Sequence, residues 1–268
     1  MFVIPFHNID PVIFQISSAM SLNWYGISYL AGVVFVMWAS DRMASKRPAE
    51  FPANVYKNCM FWGMMAIVIG GRLGDVLFYN FDYYMYRPLE IFATWKGGMS
   101  FHGGLIGVII AAVLYARYHK VKFTNFMDVL SVNVPIALMF GRLANFINGE
   151  LYGRPTDVAW AIPFPKGGNI PRHPSQLYEA MLEGVVLYGV LRLIYKCAHK
   201  KSGVTASSFL IGYGLARFVA EYFRDSETLS WFHSNWLSGG QILSVPMIVI
   251  GIGLLGFFWR QSKPETRQ

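Results

Sequence analysis

The chain has 268 residues, 54% hydrophobic and 14% charged, with a mean hydropathy of +0.36. A soluble chain carries about a quarter charged residues, so a water-solvated fold is excluded; at roughly 20 apolar residues per crossing the length allows about seven spans and no separate soluble domain. The net charge of +8 falls in loops without any nucleic-acid motif, which points to membrane orientation and anionic lipid headgroups rather than nucleic acid.

In chain order, residues 1–21 contain neither Lys nor Arg and show no small-residue cleavage site, so they read as an interfacial arm rather than a signal peptide. Apolar runs then predict helices at Leu22 to Ala39, Cys59 to Phe81, Met99 to Ala116, Val129 to Ile147, Leu177 to Tyr195, Ser207 to Phe223 and Gly240 to Trp259. Two connections are long, residues 80–98, rich in Tyr, and residues 148–176, rich in Pro and Gly. No internal repeat is visible, so residues 1–268 are expected to form one all-α transmembrane domain.

Fourteen Lys and Arg residues, from Arg42 through Lys120 and Lys200 to Arg267, fall on one side of these spans, and six, including Arg87, Arg172 and Arg224, on the other. The positive-inside rule then places the N-terminus in the periplasm and the C-terminus in the cytoplasm. Cys59 and Cys197 fall near span ends on the cytoplasmic side, where a structural disulfide is not expected.

Three Arg remain inside spans: Arg72, Arg142 and Arg217. Each costs about 2.5 to 3.5 kcal/mol to insert, and something must offset that cost. In the deduced orientation Arg72, Asp75, His102, Arg142, Asn145, Glu179, Glu183, Arg217 and Glu221 all approach the outer ends of their helices, which suggests a polar cavity opening to the outer leaflet. Mutual neutralisation is the competing account, with Arg72 and Asp75 spaced i, i+3 and Arg217 and Glu221 i, i+4. Arg142 has no acidic residue at such spacing in its own helix, while Asn145 shares its face. Tyr213, Arg217, Glu221 and Arg224 make one polar stripe that must face protein or water. His102 precedes Gly103 and Gly104 at a helix start, where the backbone is open to a ligand, although those glycines also suit helix packing and His102 a structural hydrogen bond. Tyr25 by position alone is an interfacial aromatic. No H-E-x-x-H, Cys cluster or acidic metal box is present, so no metal is expected; no G-x-S-x-G or phosphate-binding loop of the nucleotide type occurs either.

The run Gly141-Arg142-Leu143-Ala144-Asn145-Phe146-Ile147-Asn148-Gly149-Glu150-Leu151-Tyr152-Gly153 resembles the signature of the bacterial prolipoprotein diacylglyceryl transferases. The resemblance extends in family order over nearly the whole chain, through Asn23-Trp24-Tyr25-Gly26, Gly70-Gly71-Arg72-Leu73-Gly74, Ser100-Phe101-His102-Gly103-Gly104-Leu105, Arg172-His173-Pro174-Ser175-Gln176-Leu177-Tyr178-Glu179, Gly212-Tyr213-Gly214 with Arg217, and Glu221-Tyr222-Phe223-Arg224. It implies a seven-span enzyme of the bacterial inner membrane, its active site toward the periplasm. Such an enzyme moves the diacylglyceryl group of phosphatidylglycerol onto the lipobox cysteine of a preprolipoprotein, recognised with its signal peptide, and releases glycerol 1-phosphate. No cofactor is implied beyond the lipid substrate. The resemblance further implies functional roles for Tyr25, His102, Arg142, Asn145, Glu150, Gly153, Tyr213, Arg217, Glu221 and Arg224; we read Tyr25, His102, Arg142 and Arg217 as catalytic and the others, with Gly103 and Gly104 at the open helix start, as substrate-binding. A lipid or anionic-solute transporter is the alternative, disfavoured because the charges gather at one end of the spans and no repeated halves are seen.

Overall fold

A computed structural model describes residues 4–7, 9–15, 21–94, 97–225 and 238–261. It is helical apart from two short hairpins, and helix occupies each predicted apolar window: α1 Trp24–Ala44, α2 Val55–Phe78, α4 Phe101–Tyr118, α5 Phe123–Ile147, α8 Val204–Ala220 and α9 Gly239–Gln261. The fifth window is a composite of α6 Ser175–Glu179, a π turn Ala180–Val186 and α7 Leu187–Ala198. Two segments differ from expectation. Leu22 belongs to strand β2 (Ser21–Asn23), which pairs antiparallel with β1 (Val12–Gln15) in the predicted arm. The Tyr-rich connection carries α3 (Phe81–Tyr86) and a 3-10 turn Pro88–Phe92 instead of a plain loop.

Among the described residues three helices are long and apolar enough to cross a membrane, Val55–Phe78, Phe123–Ile147 and Gly239–Gln261, and His102–Tyr118 and Val204–Ala220 are shorter apolar helices. In α9 the physics is plain: the most apolar stretch has a mean hydropathy of 2.3 but only 11% of it is buried. Exposed apolar surface on that scale is tolerated where the solvent is lipid. The chain is a helical membrane protein.

The chain divides into two compact units, residues 1–36 with 127–268, and residues 37–126. In the smaller unit α2 and α4 pack through glycine. A Cβ on Gly103 would lie 2.3 Å from the Gly70 carbonyl oxygen, and one on Gly107 would lie 3.1 Å from Gly70 Cα. Lipid offers no hydrophobic drive for association, so close backbone contact supplies it as dispersion. At the other end of these helices Tyr56 stacks on Phe126 at 4.9 Å and donates to its carbonyl, while Tyr115 donates to the Val55 carbonyl at 2.7 Å.

In the larger unit Gly32 meets Ala137 Cα at 2.9 Å across α1 and α5, and Gly184 of the π turn meets Met139 Cβ of α5 at 2.5 Å, both measured from the Cβ that glycine lacks. Buried Asp128 of α5 caps α8, accepting from Gly203 N at 2.6 Å and Ala206 N at 2.8 Å. Residues 148–174 carry a small apolar core of their own: Phe164 is fully buried against Phe6, Phe146 and Tyr152, and strands β3 (Ile162–Pro163) and β4 (Pro171–Arg172) pair beside it. Phe6 thus fastens part of the N-terminal arm to this loop.

Candidate functional site

The larger unit gathers the expensive residues of three helical segments. Arg142 of α5 reaches Glu179 Oε2 with Nε at 2.9 Å and Glu183 Oε2 with Nη2 at 3.2 Å. Arg217 of α8 reaches Glu179 Oε1 at 2.7 Å, Glu183 Oε1 at 3.7 Å and, one turn on, Glu221 Oε2 at 2.8 Å. Arg224, just beyond α8, meets Glu179 Oε1 at 3.4 Å. The i, i+4 pair anticipated from spacing is therefore present, and the acidic partners that Arg142 lacks in its own helix come from α6 and the π turn. Tyr213 sits one turn before Arg217, beside Arg142 and Glu183.

Burial is layered. The side chains of Glu179, Glu183 and Glu221 are 0% exposed, whereas those of Arg142, Arg217 and Arg224 are 17%, 13% and 11% exposed. Three carboxylates balance three guanidinium groups in charge, but only the arginine side chains keep exposed area. Planar, weakly hydrated forks held by charge-assisted bonds from behind suit a phosphate in front.

Around this cluster the chain doubles back tightly after α5. Gly149 at φ +60° and Leu151 at φ +55° reverse the backbone, and Glu150 Oε1 returns to accept from Asn145 Nδ2 at 2.8 Å. Gln176 clamps the turn by donating to the Glu150 carbonyl at 2.7 Å. The Tyr25 hydroxyl lies 3.2 Å from that of Tyr29 and beside Asn145 and Glu150. Tyr25, Asn145 and Glu150 thus form one polar group, so Tyr25 has more company than an interfacial aromatic needs.

Gly153 stands where three backbone segments cross. Its N–H donates to the His173 carbonyl at 2.9 Å, Arg154 N–H donates to the Phe223 carbonyl at 2.9 Å, and Gly153 bridges Arg224. A Cβ there would lie 2.5 Å from both the His173 and Phe223 carbonyl oxygens, so Gly153 is needed for the approach that seats Arg224. Arg172 ties the crossing, donating to Asp225 Oδ2 at 2.6 Å and to the Gly153 carbonyl at 3.2 Å. Trp160 donates to the Tyr178 hydroxyl at 2.6 Å, and that hydroxyl shares a hydrogen bond with His173 Nδ1 at 3.2 Å. Burial holds the His173 imidazole below its ordinary pKa.

In the smaller unit His102 is exposed at the second residue of α4, whose N-terminus Ser100 caps by accepting from Gly103 N at 3.1 Å. Packing on α2 accounts for Gly103; Gly104 is less confined, since a Cβ there would lie 3.6 Å from the Ile67 carbonyl oxygen. The i, i+3 spacing of Arg72 and Asp75 suggested an ion pair, but the hydrogen bonds of Arg72 go to a loop. Its guanidinium donates to the carbonyls of Glu90, Ile91, Ala93, Gly97 and Gly98, while Asp75 accepts from Asn80 at 3.0 Å and Tyr84 at 3.3 Å. Here the intramembrane cation is a loop clasp. Among the described residues no group of three or more His, Cys, Asp or Glu is placed to hold a metal ion.

Sequence spacing gathered Glu179 and Glu183 with the other outer-end charges but gave them no part in the site. The signal was available: two carboxylates at i, i+4 opening an apolar helix are as costly as an arginine, and Arg142 had no acid of its own.

Comparison with known proteins gives a consistent result. The family model for prolipoprotein diacylglyceryl transferase matches residues 11–257. Proteins named phosphatidylglycerol–prolipoprotein diacylglyceryl transferase are similar over nearly the full chain. That of Brucella anthropi is 44% identical over 272 residues, covering 98% of this chain and 95% of its own. That of Vibrio vulnificus strain CMCP6 is 45% identical over 264 residues, 98% and 97% covered, and that of Pasteurella multocida is 47% identical over 247 residues, 92% and 91% covered. A signature run that folds back on a carboxylate-backed arginine cluster, in a chain matched at this identity from end to end, belongs to the prolipoprotein diacylglyceryl transferase family.

Proposed function

We propose that this protein transfers the diacylglyceryl group of phosphatidylglycerol to the thiol of the lipobox cysteine of a preprolipoprotein. The observation that carries the site reading is the layered cluster, in which Arg142, Arg217 and Arg224 face outward over the buried carboxylates of Glu179, Glu183 and Glu221. An anionic phosphodiester is the complementary ligand.

The reaction joins sulfur to a glycerol carbon as the bond from that carbon to the phosphate oxygen breaks. Glycerol 1-phosphate leaves with the electron pair, and the thiol proton must be taken up. A free peptide thiol has a pKa of about 8.5 and free imidazole about 6.5, so proton transfer between them in water is uphill by about 2.7 kcal/mol. Cations near the sulfur lower that deficit by stabilising thiolate. In this mechanism His102 accepts or relays the proton, while Arg142 and Arg217 grip the phosphate and neutralise the second charge that develops on it. Tyr25 and Asn145 orient the glycerol headgroup, Glu150 fixes Asn145, and Glu221 fixes Arg217. Tyr213 and Arg224 complete the rim, and Gly153 seats Arg224. The α4 turn of Gly103 and Gly104 carries His102. The nucleophile belongs to the substrate, so Cys59 and Cys197 are spectators.

The one-sided distribution of Lys and Arg supports seven spans with the N-terminus outside and the C-terminus inside, and on that reading the chemistry belongs at the periplasmic side of the inner membrane. The direct test incubates purified protein with phosphatidylglycerol vesicles and a lipobox peptide. A peptide heavier by one diacylglyceryl group, together with free glycerol phosphate, is expected; a peptide of unchanged mass in the presence of folded protein overturns the assignment.

A further inference from the structure

Resting on that reading of the arginine cluster, we infer that Glu179 is the positioning residue of the phosphate site, a single buried carboxylate that sets all three guanidinium groups in one array. It is the carboxylate that touches each of them: Oε1 takes Arg217 at 2.7 Å and Arg224 at 3.4 Å, and Oε2 takes Arg142 at 2.9 Å. Glu183 meets Arg142 and Arg217, and Glu221 meets Arg217. With its side chain 0% exposed behind the arginines, Glu179 acts on a ligand through them and not by contact.

The backbone is built to put it there. Glu179 is the last residue of α6, and the helix widens at the next residue into the π turn Ala180–Val186 that carries Glu183. A π turn gives poorer ladder geometry and is retained chiefly where side-chain direction matters. In the middle of this turn Gly184 lacks the Cβ that would lie 2.5 Å from Met139. The turn therefore closes on α5 one helical turn before Arg142, and both carboxylates come within reach of a guanidinium on a neighbouring helix.

Neutralisation and positioning predict opposite signs. If Glu179 served only to neutralise, its removal would raise the charge facing the ligand by one and tighten anion binding. As the shared anchor, its removal lets three like charges separate, and anion binding weakens although the net charge has become more positive. The experiment measures glycerol 1-phosphate as an inhibitor competing with phosphatidylglycerol, for wild type, Glu179→Gln and Glu183→Gln, on protein shown by thermal melting to be folded. For Glu179→Gln the inhibition constant is expected to rise about tenfold or more, the scale of one lost charge-assisted hydrogen bond, with a larger fall in kcat than rise in KM and a smaller change for Glu183→Gln. An inhibition constant that stays the same or falls in folded Glu179→Gln overturns the inference, because a merely structural role moves melting and not the anion affinity. Where Glu179→Gln does not accumulate, Glu179→Asp serves, keeping the charge one methylene short; weakened inhibition supports the anchor and unchanged inhibition refutes it. A wild-type protein indifferent to glycerol phosphate would bring down the phosphate-gripping reading and this inference together, whereas an inhibited wild type with an unaffected variant brings down this inference alone.

Discussion

Replacing Arg142 by Lys keeps a positive charge on α5 but removes the fork. In the structure Nε and Nη2 both donate to Glu183 Oε2, at 3.3 and 3.2 Å, and Nε pairs with Glu179 Oε2 as an ion pair at 2.9 Å. A lysine ammonium is a single point and serves one of these fully buried carboxylates, leaving the other without its α5 partner. A hydrogen bond to a charged group contributes about 1.5 to 3 kcal/mol, so stability should fall by about 2 kcal/mol. Loss of one preorganised donor to the developing phosphate charge should lower kcat by about 100-fold or more. Arg224→Lys offers the contrast, since Arg224 meets Glu179 only at 3.4 Å and its backbone is held by the Gly153 bridge independently of the side chain; its melting temperature should barely move. Lipidation of a lipobox peptide, followed by mass alongside a thermal melt in detergent, reads both quantities. Arg142→Lys with turnover within threefold of wild type and unchanged melting would falsify the forked grip, and the layered-cluster account with it.

For Gly153→Ala, a Cβ 2.5 Å from two carbonyl oxygens must push the crossing segments apart, at about 1 to 3 kcal/mol for overpacking; turnover should collapse and protease should cut within residues 148–174 sooner than in wild type. Arg72→Gln removes a donor shared among the carbonyls of Glu90, Ile91, Ala93, Gly97 and Gly98, so hydrogen exchange in residues 88–94 should quicken markedly, and unchanged protection would refute the clasp. In His102→Gln, activity recovering at raised pH supports a base role, and a loss independent of pH supports orientation instead. Burial lowers the His173 pKa from the ordinary 6.5, so the unfolded loop binds the proton more readily than the folded one. Stability of the loop should therefore be full above pH 6.5 and fall as the pH drops from there toward the lowered folded value. His173→Phe keeps a ring against Phe223, 5.3 Å away in the native chain, and should flatten that pH dependence as measured by limited proteolysis.

Sequence alone determined the class of solvent, the helical windows and which residues were expensive, because each follows from transfer free energies that act locally: apolar runs long enough for a bilayer, and charges that such runs do not carry without cause. It also marked the signature run from Gly141 to Gly153 and the stripe through Arg217, whose i, i+4 pair with Glu221 is a property of one helix. Tertiary structure alone decided which charge offsets which. Arg142 is answered by Glu179 and Glu183 from a different segment, while Arg72, whose spacing suggested an ion pair with Asp75, spends its donors on loop carbonyls. Gly103, beside His102 in the sequence, became a helix contact, and Gly153, the end of the signature run, a backbone crossing. The π turn could not be foreseen either, since the wider ring is weak by itself and persists only because α5 packs against Gly184 and the guanidinium groups hold the carboxylates it presents. Propensity and hydropathy act between near neighbours in the chain, whereas ion pairing inside lipid is settled by whichever partner the packed helices bring within reach.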